Sequence, residues 1–472
     1  MKHFSCLILA LLSFHLAQSQ SVPFTKIFGE TATAEQATAV VQLPSGSIFL
    51  AGAAEEDTFG GFETVLMKLN PNGDLIWKKF YGTTDQDYAN GILLYGDNQL
   101  IISGNRTETG TFRKTAFLRA VDTTGKEIWL REYPDSTGGN TYFKTVEKTT
   151  DGGLIACGFI TSVQGNNSFI VRTDSIGNFL WQGEYSDTLA NIAHAARNLP
   201  GGGFVVAGDQ QRAAGHYNMY IAKFDSDGRL VWRKTIESVN NGGAQNVIVA
   251  ESGNYLITGE SYPSTTEIYF DIYLVMVDNG GQILWDSYIG EPLAEAGYKV
   301  FESEAQTFTV CGYGYNFANL STDMIVIRTD SIGNETDRRY YGTASIDQGF
   351  DIVPAAGGGF LAAGFSSGGT DDQYMLVYDQ FPPINSTALP EQDFWRWRIY
   401  PNPVRRGEIM EIDTPIPVKS IRIVNLAGQL VGENILESGA RQLKIHEALT
   451  PGIYFLLIET GDKILAKKIG IY

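Results

Sequence analysis

Short apolar runs recur along the chain at a nearly constant spacing, and each run is followed by a glycine. "SIFLAG" ends at Gly52 and "FVVAG" ends at Gly208, and successive glycines of this kind are 50 to 54 residues apart. The seven copies end at Gly52, Gly104, Gly158, Gly208, Gly259, Gly312 and Gly364. A fixed period of this length indicates an array of structural repeats.

A second landmark follows six of the seven apolar runs and has the form Asp or Asn, two residues, Gly, and then usually Trp four residues later. Examples are "NPNGDLIW" and "DSDGRLVW", and the sixth copy keeps the turn but has Asp337 where Trp is expected. The Asp or Asn caps its own backbone and the Gly takes positive φ, so this phrase predicts a hairpin turn. We expect the tryptophans to pack between repeats, since large aromatic side chains dominate core energetics. They are Trp77, Trp129, Trp181, Trp232 and Trp285.

Each period contains four short segments with strand character, and four strands per radial repeat are typical of a β-propeller blade. The last period supplies three such segments, the third at about 374–379, and then reaches "FPPIN". The orphan segment "FTKIFG" (24–29) resembles the fourth strand of the first period, "KKFYG" (78–82). The sequence therefore predicts an all-β fold in which residues 22–380 form a seven-bladed propeller closed by the N-terminal strand.

The N-terminal residues have the pattern of a secretory signal peptide at 1–19. Lys2 and His3 precede the apolar run "LILALLSFHLA", and small residues stand at Ala17 and Ser19. The apolar run is too short for a membrane-spanning helix, so we expect cleavage near Ser19 and no transmembrane segment in the mature chain. Cys6 precedes the apolar run, unlike the cysteine of a lipoprotein anchor.

Composition and charge narrow the function classes. The 472 residues are 43% hydrophobic and carry a net charge of -18, which disfavours nucleic acid and anionic membranes as partners. Cys157 and Cys311 occupy equivalent repeat positions and are expected to be buried thiols. The mature chain has three histidines, so neither a metal site nor a cofactor is predicted. "DSDG" (225–228) is interpreted as a plain turn rather than a calcium loop.

A second domain is predicted after a proline-containing linker at 381–394. Residues 395–472 alternate apolar strands with glycine turns, which favours a small immunoglobulin-like β-sandwich. The phrases "YPNPV", "IRIVNLAGQLV" and "LTPGIYFLLI" and the basic pair near the end closely resemble the type A C-terminal sorting domain of the type IX secretion system. The motif residues are Tyr400, Pro401, Asn402, Pro403, Gly428, Gly452, Tyr454, Lys467 and Lys468.

This resemblance implies transport rather than chemistry. Such proteins cross the inner membrane by the general route, engage the type IX machinery as a partner, and are attached to the outer cell surface or released. The repeats resemble those of bacterial surface propellers, a likeness that brings no activity with it. The tryptophan phrase also resembles the repeats of quinoprotein propellers. Those enzymes usually have eight blades, and some have vicinal cysteines at the quinone site, whereas this chain has seven predicted blades and no vicinal cysteines. No redox cofactor is therefore expected.

The repeats differ most in the segments between their second and third strands, and a rigid scaffold commonly carries function on such loops. Aromatic residues stand there among Asp, Glu, Asn and Gln, a mixture suited to sugar rings and to protein partners. The chain is therefore predicted to be a secreted or surface-attached binding module for a glycan or a protein. The candidate ligand-binding residues are Phe59, Phe62, Asp85, Asp87, Tyr262, Tyr269, Tyr313, Tyr315 and Phe317.

An enzyme remains the alternative. Paired carboxylates divide acid and base roles in hydrolases, and the same loops offer Asp85 with Asp87, or Glu55 and Glu56 with Asp57. The alternative function is an extracellular polysaccharide hydrolase or lyase. In a chain this acidic, however, carboxylates on loops commonly serve solvation.

Overall fold

The computed structural model forms two compact units, Met1–Phe381 and Pro382–Tyr472. The described residues are 22–29, 34–56, 61–82, 86–162, 165–186, 190–213, 215–265, 267–291, 293–303, 306–316, 318–367, 372–381, 398–400, 404–413, 418–425, 430–435, 442–446, 448–460 and 463–471. The regular elements in these ranges are β-strands.

Seven antiparallel four-stranded sheets make up the first unit. Blade 1 has β2 (Glu35–Gln42), β3 (Ile48–Glu56), β4 (Gly61–Leu69) and β5 (Leu75–Tyr81); blade 2 has β6 (Asp87–Tyr95), β7 (Gln99–Thr107), β8 (Lys114–Asp122) and β9 (Glu127–Tyr133); blade 3 has β10 (Thr141–Lys148), β11 (Leu154–Ser162), β12 (Gly165–Thr173) and β13 (Phe179–Tyr185); blade 4 has β14 (Asn191–Asn198), β15 (Phe204–Ala213), β16 (His216–Phe224) and β17 (Leu230–Ile236). Blade 5 has β18 (Gly242–Val249), β19 (Tyr255–Ser261), β20 (Asp271–Val277) and β21 (Ile283–Ile289); blade 6 has β22 (Ala296–Glu302), β23 (Phe308–Asn316), β24 (Ser321–Thr329) and β25 (Glu335–Tyr341); blade 7 has β26 (Asp347–Pro354), β27 (Phe360–Ser367), β28 (Asp372–Asp379) and β1 (Phe24–Phe28).

The blades are arranged in a closed ring. The first strand of every blade contacts the first strands of both neighbouring blades, and β26 of blade 7 contacts β2 of blade 1. The seven first strands therefore surround a common axis, and the fourth strands lie at the perimeter. This is the seven-bladed propeller that the repeat period predicts.

Strand β1 supplies the fourth strand of blade 7. It pairs antiparallel with β28, with Phe24 opposite Tyr378 and Phe28 opposite Tyr374. The two ring pairs lie 5.7 and 5.9 Å apart between centroids. The first and last strands of the propeller thus share one sheet, which covers the edge that β28 would otherwise expose.

The hydrophobic core is divided among the seven contacts between adjacent blades. The described residues form seven clusters in the propeller, each built from facing sides of two neighbouring sheets. Cys157 lies in the cluster between blades 3 and 4, and Cys311 in the cluster between blades 6 and 7. Both thiols are free and buried, and burial raises their pKa values.

The repeated tryptophans pack against the turn glycines of the following blade. A Cβ atom on Gly125 of blade 2 would lie 2.8 Å from the ring of Trp77 in blade 1. The same contact recurs between Trp129 and Gly177 and between Trp181 and Gly228. The two landmarks of the hairpin phrase therefore meet across the five contacts from blade 1 to blade 6, where the absence of a side chain lets the ring approach the turn.

Asp337, the exception to the tryptophan rule, is explained by the ring closure. Blade 6 faces blade 7, which has no hairpin between its third and fourth strands because β1 arrives from the N-terminus. Asp337 instead forms an ion pair with Arg328 at 3.7 Å. On the other side of blade 7, Phe24 takes the tryptophan position and packs on Gly73 of blade 1.

Replacement of Gly125 by Ala is expected to destabilise the propeller by about 2 kcal/mol or more, because both the positive φ and the ring contact oppose a side chain. Gly96→Ala is the matched control. Gly96 has φ +69° against +76° for Gly125, but nothing lies within 4 Å of its Cβ position. Denaturant unfolding of the two variants checks this, and equal losses of stability would show that the tryptophan contact contributes nothing.

Each first strand contains a β-bulge at the same register. In β14 the bulge falls between Ala193 and Ala195, opposite Gly208 and Ala207 of β15. A Cβ atom on Gly208 would collide with the carbonyl oxygen of Ile192, and the equivalent glycines of the other six blades face the equivalent carbonyl. The repeat glycine is therefore required by the bulge. It does not end the second strand, since β15 continues to Ala213.

The second unit contains two small sheets that share one hydrophobic core. One consists of β29 (Arg398–Tyr400), β30 (Ile409–Asp413) and β33 (Gln442–Lys444), and the other of β31 (Ser420–Asn425), β32 (Leu430–Ile435), β34 (Gly452–Thr460) and β35 (Lys463–Ile471). Met410 and Leu443 from the first sheet pack in the same cluster as Ile421 and Leu456 from the second. This arrangement is the small β-sandwich that the strand pattern predicts.

Within the ranges that the structure describes, no helix has the length and apolar character needed to cross a membrane.

Candidate functional site

The segments interpreted as long variable loops are shorter in the structure, because the flanking strands extend into them. Phe62 belongs to β4, and Tyr313 and Tyr315 belong to β23. The prediction that these residues lie on loops is therefore wrong, and it is also wrong for Glu55 and Asp87, which belong to β3 and β6. Phe59, Asp85 and Phe317 fall outside the described residues.

The second-to-third and fourth-to-first connections lie at the same end of each antiparallel blade, which we call the loop face. Phe62 of blade 1 stacks there on Tyr88 of blade 2, with centroids 5.3 Å apart. The Lys114 ammonium lies 5.5 Å from the Tyr88 ring. Burial raises the pKa of Tyr88, and the charge of Glu55 adds to the increase. Phe62 is thus engaged in a contact between neighbouring blades.

The predicted residues of blade 5 lie in the connection between β19 and β20. Tyr262 is half-buried and packs edge-on against Phe270 at 6.0 Å. Tyr269 is 38% exposed and its neighbour Ile268 is 74% exposed. This connection therefore presents apolar surface on the loop face.

The carboxylates suggested for hydrolysis do not form a pair among the described residues. Asp87 is 1% exposed, accepts a hydrogen bond from the Thr107 amide at 3.2 Å and lies 3.9 Å from Arg106. Glu55 is exposed, and the side chain of Glu56 lies outside the described residues together with Asp57 and Asp85. The contacts of Asp87 tie it to the neighbouring strand β7.

The bulges bring together residues that are far apart in sequence. The bulge residue of each first strand and the residue after each repeat glycine lie close to the axis, near the loop face. The bulge residues are Thr38, Asn90, Lys144, His194, Gln245, Tyr298 and Phe350, and the residues after the glycines are Ala53, Asn105, Phe159, Asp209, Glu260, Tyr313 and Phe365. Nine of these residues, from blades 3 to 7, interact with one another, and we call them the axial cluster. They are Lys144, His194, Asp209, Gln245, Glu260, Tyr298, Tyr313, Phe350 and Phe365.

The charged half of the axial cluster centres on Asp209. Its carboxylate accepts the Ala244 amide at 2.9 Å and lies 3.0 Å from Nε2 of His194. Lys144 reaches this region from blade 3, where burial lowers its pKa and the charge of Asp209 opposes that effect. Asp209 is therefore a carboxylate with several partners at the meeting of three blades.

Glu260 faces the same space from blade 5. Its Oε1 atom lies 2.9 Å from the position that a Cβ atom on Gly243 would occupy, and Oδ1 of Asp209 lies 3.0 Å from it. Burial raises the pKa of Glu260 to about 8, and the charge of Asp209 adds to the increase. The two carboxylates thus share a small space, and Glu260 holds a proton in part of the neutral pH range.

The aromatic half of the axial cluster comes from blades 6 and 7. The Tyr298 ring lies 5.7 Å from Tyr313 and 5.6 Å from Phe350, and Phe350 stacks on Phe365 at 5.6 Å. The Glu260 charge raises the pKa values of both tyrosines, although burial is the larger cause. Of the predicted site residues that the structure describes, Tyr313 alone belongs to this cluster.

Stability measurements across pH test the geometry around Glu260. Because its pKa rises from 4.5 to about 8 on folding, the folded chain holds an extra proton between these values. Stability of the parent relative to Glu260→Gln is therefore highest at low pH and is lost as pH rises from 4.5 to 8, by roughly 5 kcal/mol in total. Urea unfolding between pH 5 and 8 measures this. Parallel curves for the parent and the variant would contradict it, and Glu237→Gln, an exposed site on the loop face, is the control.

The sequence did contain a signal for the axial cluster. The glycine is constant, whereas the residue after it differs between most blades. The bulge residue stands fifteen positions before that variable residue in every blade. The spacing alone does not reveal the cluster, because a bulge has no clear mark in the sequence.

The histidines are dispersed. His194 contacts Asp209, whereas Nδ1 of His216 lies 2.8 Å from the carbonyl oxygen of Asn240 on the loop face and His446 belongs to the second unit. Within the described ranges no group of three or more His, Cys, Asp or Glu side chains is placed to hold a metal ion.

The second unit positions several of the predicted sorting residues. Tyr454 is buried, donates a hydrogen bond to the Thr450 carbonyl at 2.7 Å and lies near the start of β34, which begins at Gly452. Tyr400 ends β29, and Lys467 and Lys468 lie in β35. Pro401, Asn402, Pro403 and Gly428 fall outside the described residues.

The family model described as the secretion system C-terminal sorting domain matches residues 398–472. Residues 398–472 are a type IX sorting domain. This sorting domain implies interaction with the type IX secretion machinery, and it indicates that the protein is secreted or attached to the outer surface. No curated protein matches the chain by sequence.

Several solved structures are similar to this chain. A catalytically inactive virginiamycin B lyase from Staphylococcus aureus, crystallised with quinupristin, has a TM-score of 0.47 at 10% identity and covers 76% of this chain and 100% of its own. Sqt1 from Chaetomium thermophilum has a TM-score of 0.43 at 13% identity and covers 70% and 80%. The propeller domain of the Trilobed protease from Pyrococcus furiosus has a TM-score of 0.43 at 9% identity and covers 73% and 96%. The fold assignment rests on the seven sheets of this chain itself.

Proposed function

We propose that the protein is an exported binding propeller that takes a glycan or protein ligand at the axial end of its loop face. The sorting domain accounts for export, and the propeller is the exported cargo. A leader at residues 1–19 would bring the chain to the periplasm by the general route before the type IX step.

The proposal rests on a contrast between two kinds of position at the bulge. The repeat glycine is constant, whereas the residues beside it vary from blade to blade. The repeat glycine is the same in all seven blades because the bulge excludes a side chain. The residues beside it vary from Ala to Asp, Glu, Phe and Tyr, and they converge on the axis. A scaffold that fixes backbone geometry while varying converging side chains is suited to ligand recognition.

The chemistry of the axial cluster fits a polar ligand with an apolar face. Four aromatic rings lie beside two carboxylates, an ammonium and an imidazole, and Tyr313 and Tyr298 are half-buried. Rings of this kind stack on sugars and on side chains, while the charged groups supply hydrogen bonds. The exposed residues Tyr269 and Ile268 extend the apolar surface at the rim.

Replacing Tyr313 by Ala is expected to lower retention on the best ligand of a glycan and extracellular-protein array at least tenfold, because the ring forms one wall of the site. Tyr313→Phe keeps the ring and should retain most of the affinity. Phe179→Ala is the control, since Phe179 is 55% exposed and follows the hairpin turn at the opposite face. Unchanged retention by Tyr313→Ala, with the melting temperature preserved, would contradict the proposed site.

A hydrolase or lyase is the second candidate, and the pair Asp209 and Glu260 is the observation that favours it. Burial and the charge of Asp209 raise the pKa of Glu260, and a carboxyl group that keeps its proton beside a second carboxylate is suited to the role of general acid. Release of reducing ends from the retained polysaccharide, lost in Asp209→Asn and in Glu260→Gln, would identify an enzyme. Retention without release identifies a binding module.

A further inference from the structure

Glu260 and the aromatic half of the axial cluster together have the composition of a cation-binding niche. We define the ammonium niche as Glu260, Tyr298, Tyr313, Phe350 and Phe365. Tyr298 is inclined by 46° to Tyr313 and by 60° to Phe350, so the rings form an angled wall rather than one flat stack. An angled wall of rings offers several aromatic faces to one bound group.

Glu260 is the less satisfied of the two carboxylates in the axial cluster. Asp209 accepts the Ala244 amide at 2.9 Å and contacts His194 at 3.0 Å, with Lys144 nearby. The side-chain amide of Gln245 donates to the two carboxylate oxygens of Glu260 at 3.3 and 3.4 Å, and both distances are long for a hydrogen bond. Among the described residues, no Lys, Arg or His forms an ion pair with Glu260.

Gly243 brings the backbone of blade 5 close to both carboxylates. The position of its missing Cβ atom lies 2.9 Å from Oε1 of Glu260 and 3.0 Å from Oδ1 of Asp209, which is too close for a side chain. The absence of a side chain at Gly243 therefore lets both carboxylates lie against the blade 5 backbone.

We propose that the ammonium niche binds an organic ammonium group of the exported propeller's ligand, with Glu260 as its counterion and the four rings as its apolar wall. This inference rests on the proposed function and specifies the chemistry of the ligand at the same site. An ammonium group gains both from the ring quadrupoles and from the carboxylate. A neutral ligand would leave Glu260 protonated or poorly paired, at a cost in affinity.

The charge of Glu260 predicts how binding depends on pH. The titratable groups facing it are Asp209, Tyr298 and Tyr313, with His194 and Lys144 beyond Asp209. Glu260 pairs with a cation after it loses its proton, and its pKa of about 8 places that loss above neutrality. Affinity for a cation of fixed charge should therefore rise more than tenfold between pH 6 and pH 8 and then level off.

The test uses the chain lacking residues 1–19, titrated calorimetrically with choline, ethanolamine and 3,3-dimethylbutan-1-ol. The last compound is the uncharged carbon isostere of choline. The inference predicts that at pH 8.5 one or both cations bind at least tenfold more tightly than the alcohol. Glu260→Gln should abolish this preference, whereas Glu237→Gln, an exposed carboxylate on the same face, should preserve it.

Two further probes distinguish the sources of an ammonium group. Glucosamine is compared with N-acetylglucosamine, and Nα-acetyl-lysine amide with Nα-acetyl-norleucine amide. Tighter binding of glucosamine identifies an amino sugar, tighter binding of the lysine derivative identifies a protein side chain, and either result supports the inference.

The inference and the proposed function fail in different ways. Retention of a neutral glycan that depends on Tyr313 but not on Glu260 would overturn the ammonium niche and leave the binding propeller standing. Equal binding of choline and its neutral isostere would also overturn the niche. Absence of any retained array component together with no binding of the cations would overturn both.

Discussion

A chain cut after Pro390 is expected to disappear from the extracellular and surface fractions and to accumulate inside the cell envelope. The cut removes the whole sorting domain, while the propeller of residues 22–381 keeps all of its sheets. Because the propeller core is complete without the second unit, the trapped product should be folded and protease-resistant. Fractionation of cells and immunoblotting against the propeller measure the effect, which should exceed tenfold.

Two point variants separate loss of sorting from loss of chain length. Leu456 is fully buried in the sorting-domain core, so Leu456→Asp should reproduce the truncation. Leu430 is 54% exposed, and Leu430→Ser should be exported like the parent. Normal export of the truncated chain would contradict a sorting role for residues 398–472.

Deletion of residues 22–29 is expected to lower the melting temperature of the propeller by about 7 °C, which corresponds to roughly 5 kcal/mol for a domain of this size. The deletion removes β1, the partner of β28, and takes Phe24 and Phe28 from the core between blades 7 and 1. It also removes the Lys26–Asp74 ion pair at 2.7 Å, an exposed contact that contributes little.

The control for this deletion is removal of residues 22 and 23 alone. Both precede β1, and Val22 is 70% exposed. Calorimetry of this shorter deletion should give a melting temperature within a degree or two of the parent. Coincident melting curves for all three chains would contradict closure of the ring by β1.

The sequence predicts those features of the fold that depend on local geometry, because each requires a particular residue type at the same place in every repeat. The period, the hairpin turns and the missing strand of the last blade follow from glycine and tryptophan spacing. Asp337 marks the blade that faces blade 7, whose third and fourth strands are not joined by a hairpin turn.

The axial cluster was missed for a physical reason. Lys144 and Phe350 belong to different blades, and their convergence depends on bulges that shift each first strand by one residue. Tyr313 is predicted on a loop because the apolar run stops at Gly312, but Gly312 faces the bulge and the strand continues to Asn316. Local patterns of hydrophobicity do not report such a register change.

Hydrogen exchange of the chain lacking residues 1–19, with and without the array component it retains most strongly, tests the central claim most directly. The account predicts that the ligand slows exchange in segments 242–246, 257–262, 296–300 and 311–315, which carry the axial cluster in blades 5 and 6. Protection confined to the hairpin turns at the opposite face, such as 122–126 and 225–229, would contradict a ligand site at the axis of the loop face.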